Sequence, residues 1–313
     1  MKSILTTLAV ATTVAVTSFT ADAATVKVTK FHQSYPYSGK ATVEYTVGGA
    51  LPTNAIAEIT LNTDDASATF TQKNIVSGAN TFTIDFASSF GGALLLTNAS
   101  FVVTIEPGGV QLWENGPYWA ECNVGASKPE EYGYYFWWGD TVGYTNTGNG
   151  WISVKDGTSI LFTNSGTAAA TSGKNNSALQ SAGYIDTTGN LVVSHDAATT
   201  HLGSPWRMPT NAEFEELINN CTTTWITTNG VSGRLVTGKG AYANRSIFLP
   251  AAGDGYGSYL YCPGSFGYYW SSTPYSDYSY YACYLYFYSS DFCQGNDGRY
   301  YGQSVRPVRG FAQ

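Results

Sequence analysis

From residue 25 to residue 106 apolar and polar side chains alternate with a period of two, which restricts this part of the chain to strands. In KATVEYTV, Ala41, Val43, Tyr45 and Val47 alternate with Thr42, Glu44 and Thr46. Ala57, Ile59 and Leu61 repeat the pattern, followed by Phe82, Ile84 and Phe86, then by Phe101, Val103 and Ile105. Successive side chains of a strand point to opposite faces, so each run buries one face and wets the other. Gly48-Gly49, Ser77-Gly78 and Gly91-Gly92 punctuate the runs at turn positions. The expectation for residues 24–107 is an all-β, antiparallel sandwich of immunoglobulin-like size. It contains no catalytic constellation, so a spacer or stalk is its expected role.

Ahead of this region, residues 1–23 combine Lys2, an apolar run from Ile4 to Phe19 and the small-residue site Ala21-Asp22-Ala23. That order is the signature of a secretory signal peptide, with the mature chain starting near Ala24. The run is too short and too rich in threonine for a membrane span. An exported protein, secreted or held at the cell envelope with no integral span, is expected. A net charge of −7 with 12% charged residues makes nucleic acid an unsuitable partner. The texture breaks at Pro107-Gly108-Gly109, which sets residues 108–313 apart as a second domain. Five cysteines in an oxidising compartment leave an odd thiol. The preferred pair is Cys122 with Cys221, because Cys262, Cys283 and Cys293 fall in or beside a tyrosine-rich tail.

The second domain opens with aromatic pairs beside glycines, among them Trp137-Trp138. These two could form a sugar-stacking platform, but adjacent residues of a strand face opposite ways, which places one of them in the core. Residues 141–193 are rich in Thr, Gly, Ser and Asn and read as a long surface insertion. MPTNAEFEELINNC predicts a helix: Thr210 and Glu213 form a capping box, and Phe214, Leu217, Ile218 and Cys221 recur at i, i+3, i+4 and i+7. Glu213, Glu215 and Glu216 sit in its first turns, where the helix dipole favours acids. A shorter helix is expected from Asp196 to His201. Glycine-, tyrosine- and serine-punctuated strands follow, so the second domain is expected to be α+β.

Residues 267–309 hold more tyrosine than a core can bury and little of the charge of an ordinary surface. Tyrosine offers a large contact area for few rotatable bonds, and with Ser, Gly, Asn and Asp it makes the composition of a binding surface. In YYACYLYFY, Cys283, Leu285 and Phe287 are expected to face the core and Tyr284, Tyr286 and Tyr288 the opposite side. Tyr256, Tyr259, Tyr261, Tyr275, Tyr278, Tyr280 and Tyr300 are expected to join them from flanking loops. Asp277, Asp291, Asn296 and Asp297 would supply polar contacts within the variable-looking stretch 254–301.

Catalytic chemistry is not apparent. His195 and His201, six residues apart, do not share a helical face, so a common metal is not expected. Asp254, Asp277, Asp291 and Asp297 do not resemble a calcium-binding loop. There is no G-x-S-x-G elbow, and His32 belongs to the first domain, so no nucleophile with its base can be assembled. No cofactor is implied.

LWENGPYWAECNVGA, PWRMPTNAEFEELI, GYYWSST and GQSVRPVR, in that order, resemble the Fibrobacter succinogenes major paralogous domain. That family shares the C-type-lectin-like fold of the sulfatase-modifying factors, and the likeness covers residues 108–313. The resemblance implies that the helix after WRMP packs on the sheet and that Trp206, Trp270, Val305 and Arg306 are scaffold. Formylglycine-generating enzymes of this fold use a cysteine pair near their C-terminal end. The corresponding strand here reads QSVRPVR, without cysteine, and Cys283 and Cys293 do not recreate the motif. The E-P-N and W-N-D signatures of calcium-dependent sugar-binding lectins are likewise absent. The tail also looks like the variable region of proteins diversified by retroelements, whose miscopied Asn codons yield Tyr, Ser, Asp, Gly, Cys, Phe or His but never Lys, Glu, Gln, Met or Trp. From Ser246 to Gln313 there is no Lys, Glu or Met. A tyrosine-rich tail shaped by ordinary selection would share that composition. The expected function is a non-catalytic, receptor-like or adhesive protein that binds a protein or glycan ligand at a cell surface. A formylglycine-generating-type oxidoreductase and a calcium-independent glycan-binding module are the alternatives.

Overall fold

The computed structural model describes residues 25–33, 40–49, 51, 55–62, 67–85, 100–106 and 108–310. Phe86, Gly91-Gly92, Pro107 and the proposed signal peptide lie outside them. The chain is β-rich, built from small antiparallel sheets, and divides into two compact units at Gly108/Gly109.

In the first unit, β1 (Thr25–Gln33), β2 (Lys40–Gly48) and β5 (Gly78–Asp85) form one three-stranded sheet. A second comprises β4 (Ser67–Gln72), β3 (Ile56–Asn62) and β6 (Ser100–Glu106). The alternation decides which side of each strand is buried: Val43, Tyr45, Ile59, Leu61, Ile84, Phe101 and Val103 from both sheets form one apolar cluster. Phe82 packs against it half-buried. Gly49 and Gly78 take the left-handed conformations their turns require, at φ +83° and +101°.

The second unit opens with β7 (Val110–Gln111) and β8 (Tyr118–Trp119). The small sheet of β9 (Tyr144–Asn146), β10 (Trp151–Ser153) and β11 (Ser159–Ile160) follows. Four short helices come next: α1 (Gly166–Thr171), α2 (Asn176–Ser181), α3 (Ala197–Leu202) and α4 (Asn211–Asn220). After them β12 (Cys221–Thr228), β13 (Val231–Gly238) and β14 (Ser246–Pro250) form a sheet. A hairpin of β15 (Asp254–Tyr256) and β16 (Tyr259–Tyr261) leads to the sheet of β17 (Gly267–Pro274), β18 (Tyr281–Phe287) and β19 (Phe292–Gly298). Finally β20 (Val308–Arg309) pairs back onto β8.

Helix α4 carries the capping box the sequence predicts, Thr210 accepting from Glu213 N–H while Glu213 accepts from Thr210 N–H. Phe214 and Leu217 are buried against Trp119 and Tyr269 in one cluster. Glu213 is more than a solvated acid, because it also takes a two-point ion pair from Arg207 at 2.7 and 2.5 Å. Asp196 caps α3 by accepting from Thr199 N–H, and its second oxygen accepts from Met208 N–H.

Segment 302–309 ties these pieces together. Gly302 bridges to Gly255, Gln303 to Phe136, Ser304 to Tyr269 and Val308 to Arg207. Arg306, fully buried, donates to Asn123 Oδ1 and to the carbonyls of Ala120, Glu121 and Phe248 at 2.7 to 3.0 Å. Trp206, Trp270 and Val305 are buried as well.

Three expectations are corrected. Residues 141–193 are no surface insertion: Trp151, Phe162 and Ala168 join Trp137 and Tyr144 in a core cluster of their own, and Leu179, Ile185 and Leu191 enter another. Trp137 and Trp138 are both buried, in different clusters, because the chain leaves the Phe136–Gln303 bridge for a turn at Gly139 (φ +78°) instead of continuing as a strand. The Cys122–Cys221 disulfide is not formed: both are buried free thiols, Cys221 packed in the cluster under α4 and Cys122 beside Arg306.

Candidate ligand-binding face

The β17–β18–β19 sheet sorts its side chains by the period-two rule. On one side Tyr269, Leu285 and Phe287 are fully buried. On the other, Tyr268 of β17 pairs with Tyr286 of β18, and Trp270 with Tyr284. Trp270 is buried and closes one end of this side, its ring 6.1 Å edge-on from that of Tyr284. Beyond it the rings run on: Tyr268 lies 5.9 Å from Tyr284 and 5.2 Å from Tyr286, and Phe266 stacks on Tyr286 at 5.9 Å and meets Tyr288 at 5.5 Å. Each ring covers part of its neighbour, so these side chains are half-buried and fixed while one face or edge stays wet. Gly295 of β19 stands opposite Tyr284, and a Cβ there would lie 2.8 Å from the tyrosine ring. Glycine thus lets Tyr284 lie down across the third strand.

A second tyrosine group surrounds the β15–β16 hairpin. Tyr256 is 6.5 Å from Tyr261, 6.0 Å from Tyr300 and 5.3 Å from Tyr301, and Tyr259 lies 6.0 Å from Tyr261. Tyr256, Tyr259 and Tyr261 are exposed, Tyr259 to 67%.

Two carboxylates lie where these groups meet. Asp254 opens β15 and Asp297 sits near the end of β19, both half-buried. Burial first, then the negative charge of Asp297, pushes Asp254 up to about 7. Asp297 is raised by burial and held back by the N–H of Gly298, which donates to its Oδ1 at 2.7 Å. Burial followed by these carboxylates raises the hydroxyls of Tyr268, Tyr284 and Tyr301, so the pair acts on both tyrosine groups. Among the described residues neither acid belongs to a salt bridge.

The remaining candidates divide. Tyr275, Asp277, Tyr278 and Tyr280 occupy the β17–β18 connection, where Tyr275 donates to Asp277 at 3.3 Å and the rings of Tyr278 and Tyr280 are 5.4 Å apart. Among the described residues no ring contact joins this loop to the two tyrosine groups. Asp291 lies exposed at the β18–β19 turn, accepting from Phe292 N–H. Asn296 stands opposite Cys283 and shares that residue's inward side, so it is not on the tyrosine face. Asp254, Phe266, Tyr268 and Tyr301 belong to the face although sequence reasoning left them out of the site. For Tyr268 a signal existed, since in GYYW one of two adjacent tyrosines had to point away from the core.

The cysteines are also separated. Cys283 faces inward, and burial pushes its thiol up to about 11. Cys293 pairs with Tyr286 on the outer side, its thiol 3.4 Å from Asp291. The two therefore lie on opposite faces of the sheet and do not form a dithiol pair. His195 and His201 are held by the carbonyls of Gly139 and Thr141, at 3.2 and 3.0 Å, and pin the turn after Trp138. Compared with family models, curated proteins and solved structures, the chain has no match in any of the three.

Proposed function

We propose that this is an exported, non-catalytic ligand-binding protein, in which an immunoglobulin-like sandwich carries a C-type-lectin-like domain of the major paralogous type. The carrying observation is the division of labour along residues 283–288, in β18 and just after it. Cys283, Leu285 and Phe287 fill the core while Tyr284, Tyr286 and Tyr288 line a ring-to-ring aromatic face on the other side. Rigid aromatic side chains on a packed sheet lose little freedom on binding, which is what an interface anchor requires. A protein ligand suits a face this broad, extending from Tyr288 through Tyr268 to the β15–β16 hairpin. The same division suits a tail diversified by retroelement copying, because the exposed positions tolerate exchange and the core positions do not.

The reading is tested by panning a library of random linear peptides on the full chain and on the Tyr284→Ser/Tyr286→Ser variant, with a glycan array as a parallel arm. Peptides selected by the parent are expected to lose about thirtyfold in affinity for the variant, the equivalent of about 2 kcal/mol for a central anchor. If they bind parent and variant equally, or only glycans bind, the reading falls. Diversification is tested at the genomic locus. A reverse-transcriptase gene with a near-copy of this segment, differing at adenines, supports it, and a locus with neither refutes it.

A further inference from the structure

The charges on and under this face constrain the partner, and the inference rests on the binding role proposed above. From Ser246 onward the chain contains three cationic side chains, Arg299, Arg306 and Arg309, and four acids, Asp254, Asp277, Asp291 and Asp297. All three arginines are buried. Arg299 donates to the carbonyls of Thr171, Lys174 and Tyr281 with its guanidinium over the Trp138 ring, Arg306 donates to its four acceptors, and Arg309 lies over the Tyr118 ring. Arg234 reaches the β18–β19 turn from β13, but it too is buried, donating to the carbonyls of Tyr288 and Asp291. All four aspartates, by contrast, are exposed or half-buried. The cations of this segment are turned inward, Arg299 and Arg306 to hold backbone carbonyls and Arg309 against the Tyr118 ring, and the outward charge is negative.

The face therefore combines aromatic rings with carboxylates that lack a cationic partner. A guanidinium or ammonium group is attracted by the π-face of tyrosine and forms short charge-assisted hydrogen bonds to carboxylate oxygens. Asp254 and Asp297 repel one another in a partly dehydrated setting, and a cation placed between them removes that repulsion. A neutral sugar offers no such compensation, and a nucleic acid would add negative charge. We infer that this face docks a protein surface presenting arginine or lysine, whose cation is received by Asp254 and Asp297 between the rings of Tyr256, Tyr268, Tyr284 and Tyr301.

The test uses the peptides that the full chain selects from the random library and the Asp254→Asn/Asp297→Asn variant. The amides keep the Oδ1 that accepts from Gly298, and tryptophan fluorescence during thermal unfolding verifies that the variant is folded. Selected peptides should be enriched in Arg and Lys over the unselected library. Exchanging their central cation for Gln, or using the double variant, should each cost about tenfold or more in affinity, and the two losses should not add, since they remove the same contact. Peptides that require Tyr284 and Tyr286 but show no basic enrichment, or that bind the double variant as well as the parent, overturn the cationic partner while the aromatic face stands. Peptides indifferent to the tyrosines, or binding of glycans alone, overturn both.

Discussion

Replacing Asp254 with Asn should stabilise the second unit at neutral pH and leave it unchanged in acid. Folding moves this carboxyl from an ordinary 3.8 to about 7, chiefly through burial. The folded state therefore holds the proton over a range in which the unfolded chain has released it. Stability associated with the neutral acid is fully present below pH 3.8 and is lost as the pH rises towards 7, by up to about 1.4 kcal/mol for each pH unit. The full interval sets a ceiling of about 4 kcal/mol. Partial access of water and the shared titration with Asp297 bring the expected value to about 2 kcal/mol. Asn is neutral throughout and nearly the same shape, so the difference between variant and parent reports this group together with its coupling to Asp297. The assay is built into the sequence, because all eight tryptophans lie between Trp113 and Trp270, within the second unit. Tryptophan fluorescence of the full chain thus reports that unit alone. At pH 8 the variant should unfold about 4 to 8 °C above the parent, and at pH 4 the two should coincide. An equal gain at both pH values, or a less stable variant at pH 8, would refute the claim that the fold dehydrates this carboxylate.

Two further outcomes are expected. Arg306→Met should destabilise the second unit by about 3 kcal/mol or more, because it takes the guanidinium from four acceptors, those of Asn123, Ala120 and Phe248 buried; urea unfolding followed by tryptophan fluorescence measures it, and a loss below about 1 kcal/mol would mean that water replaces the guanidinium. Iodoacetamide should label exposed Cys262 first in the native protein and half-buried Cys293 more slowly, whereas Cys122, Cys221 and Cys283, all buried and with raised thiols, should react only on unfolding. Peptide mapping reads the order, and a Cys122–Cys221 cross-link in the native protein would contradict it.

Features with local causes could be read from the sequence. The strands of the first unit follow from period-two alternation, α4 from its capping box and apolar spacing, and the two sides of β18 from the alternation of Leu285 and Phe287 with Tyr284 and Tyr286. Features created by distant contacts could not. Trp151 and Phe162 are apolar residues isolated among Thr, Gly and Ser, too far apart to show a period. Their burial depends on Gly255 and Gly302, whose missing side chains make the room that the Phe162 ring fills. Strands as short as β9 to β11 are likewise defined by their pairing and leave almost no pattern behind. Asp254 and Asp297 are separated by an entire three-stranded sheet, so their approach has no counterpart in spacing. In composition they look like two loop acids among several.

The bridging role of residues 302–309 also bears on when the second unit can fold. Translation delivers the chain from its N-terminus, so these residues appear after every strand they join. Hairpins such as β12–β13 and β17–β18 can form as they emerge. Their docking must await Gly302, Gln303, Ser304, Arg306 and Val308, which bridge or bond to segments from Trp119 through Tyr269. Contacts of such long sequence separation form slowly even when all parts are available. The segment that closes the finished domain therefore also sets the earliest moment at which its parts can dock.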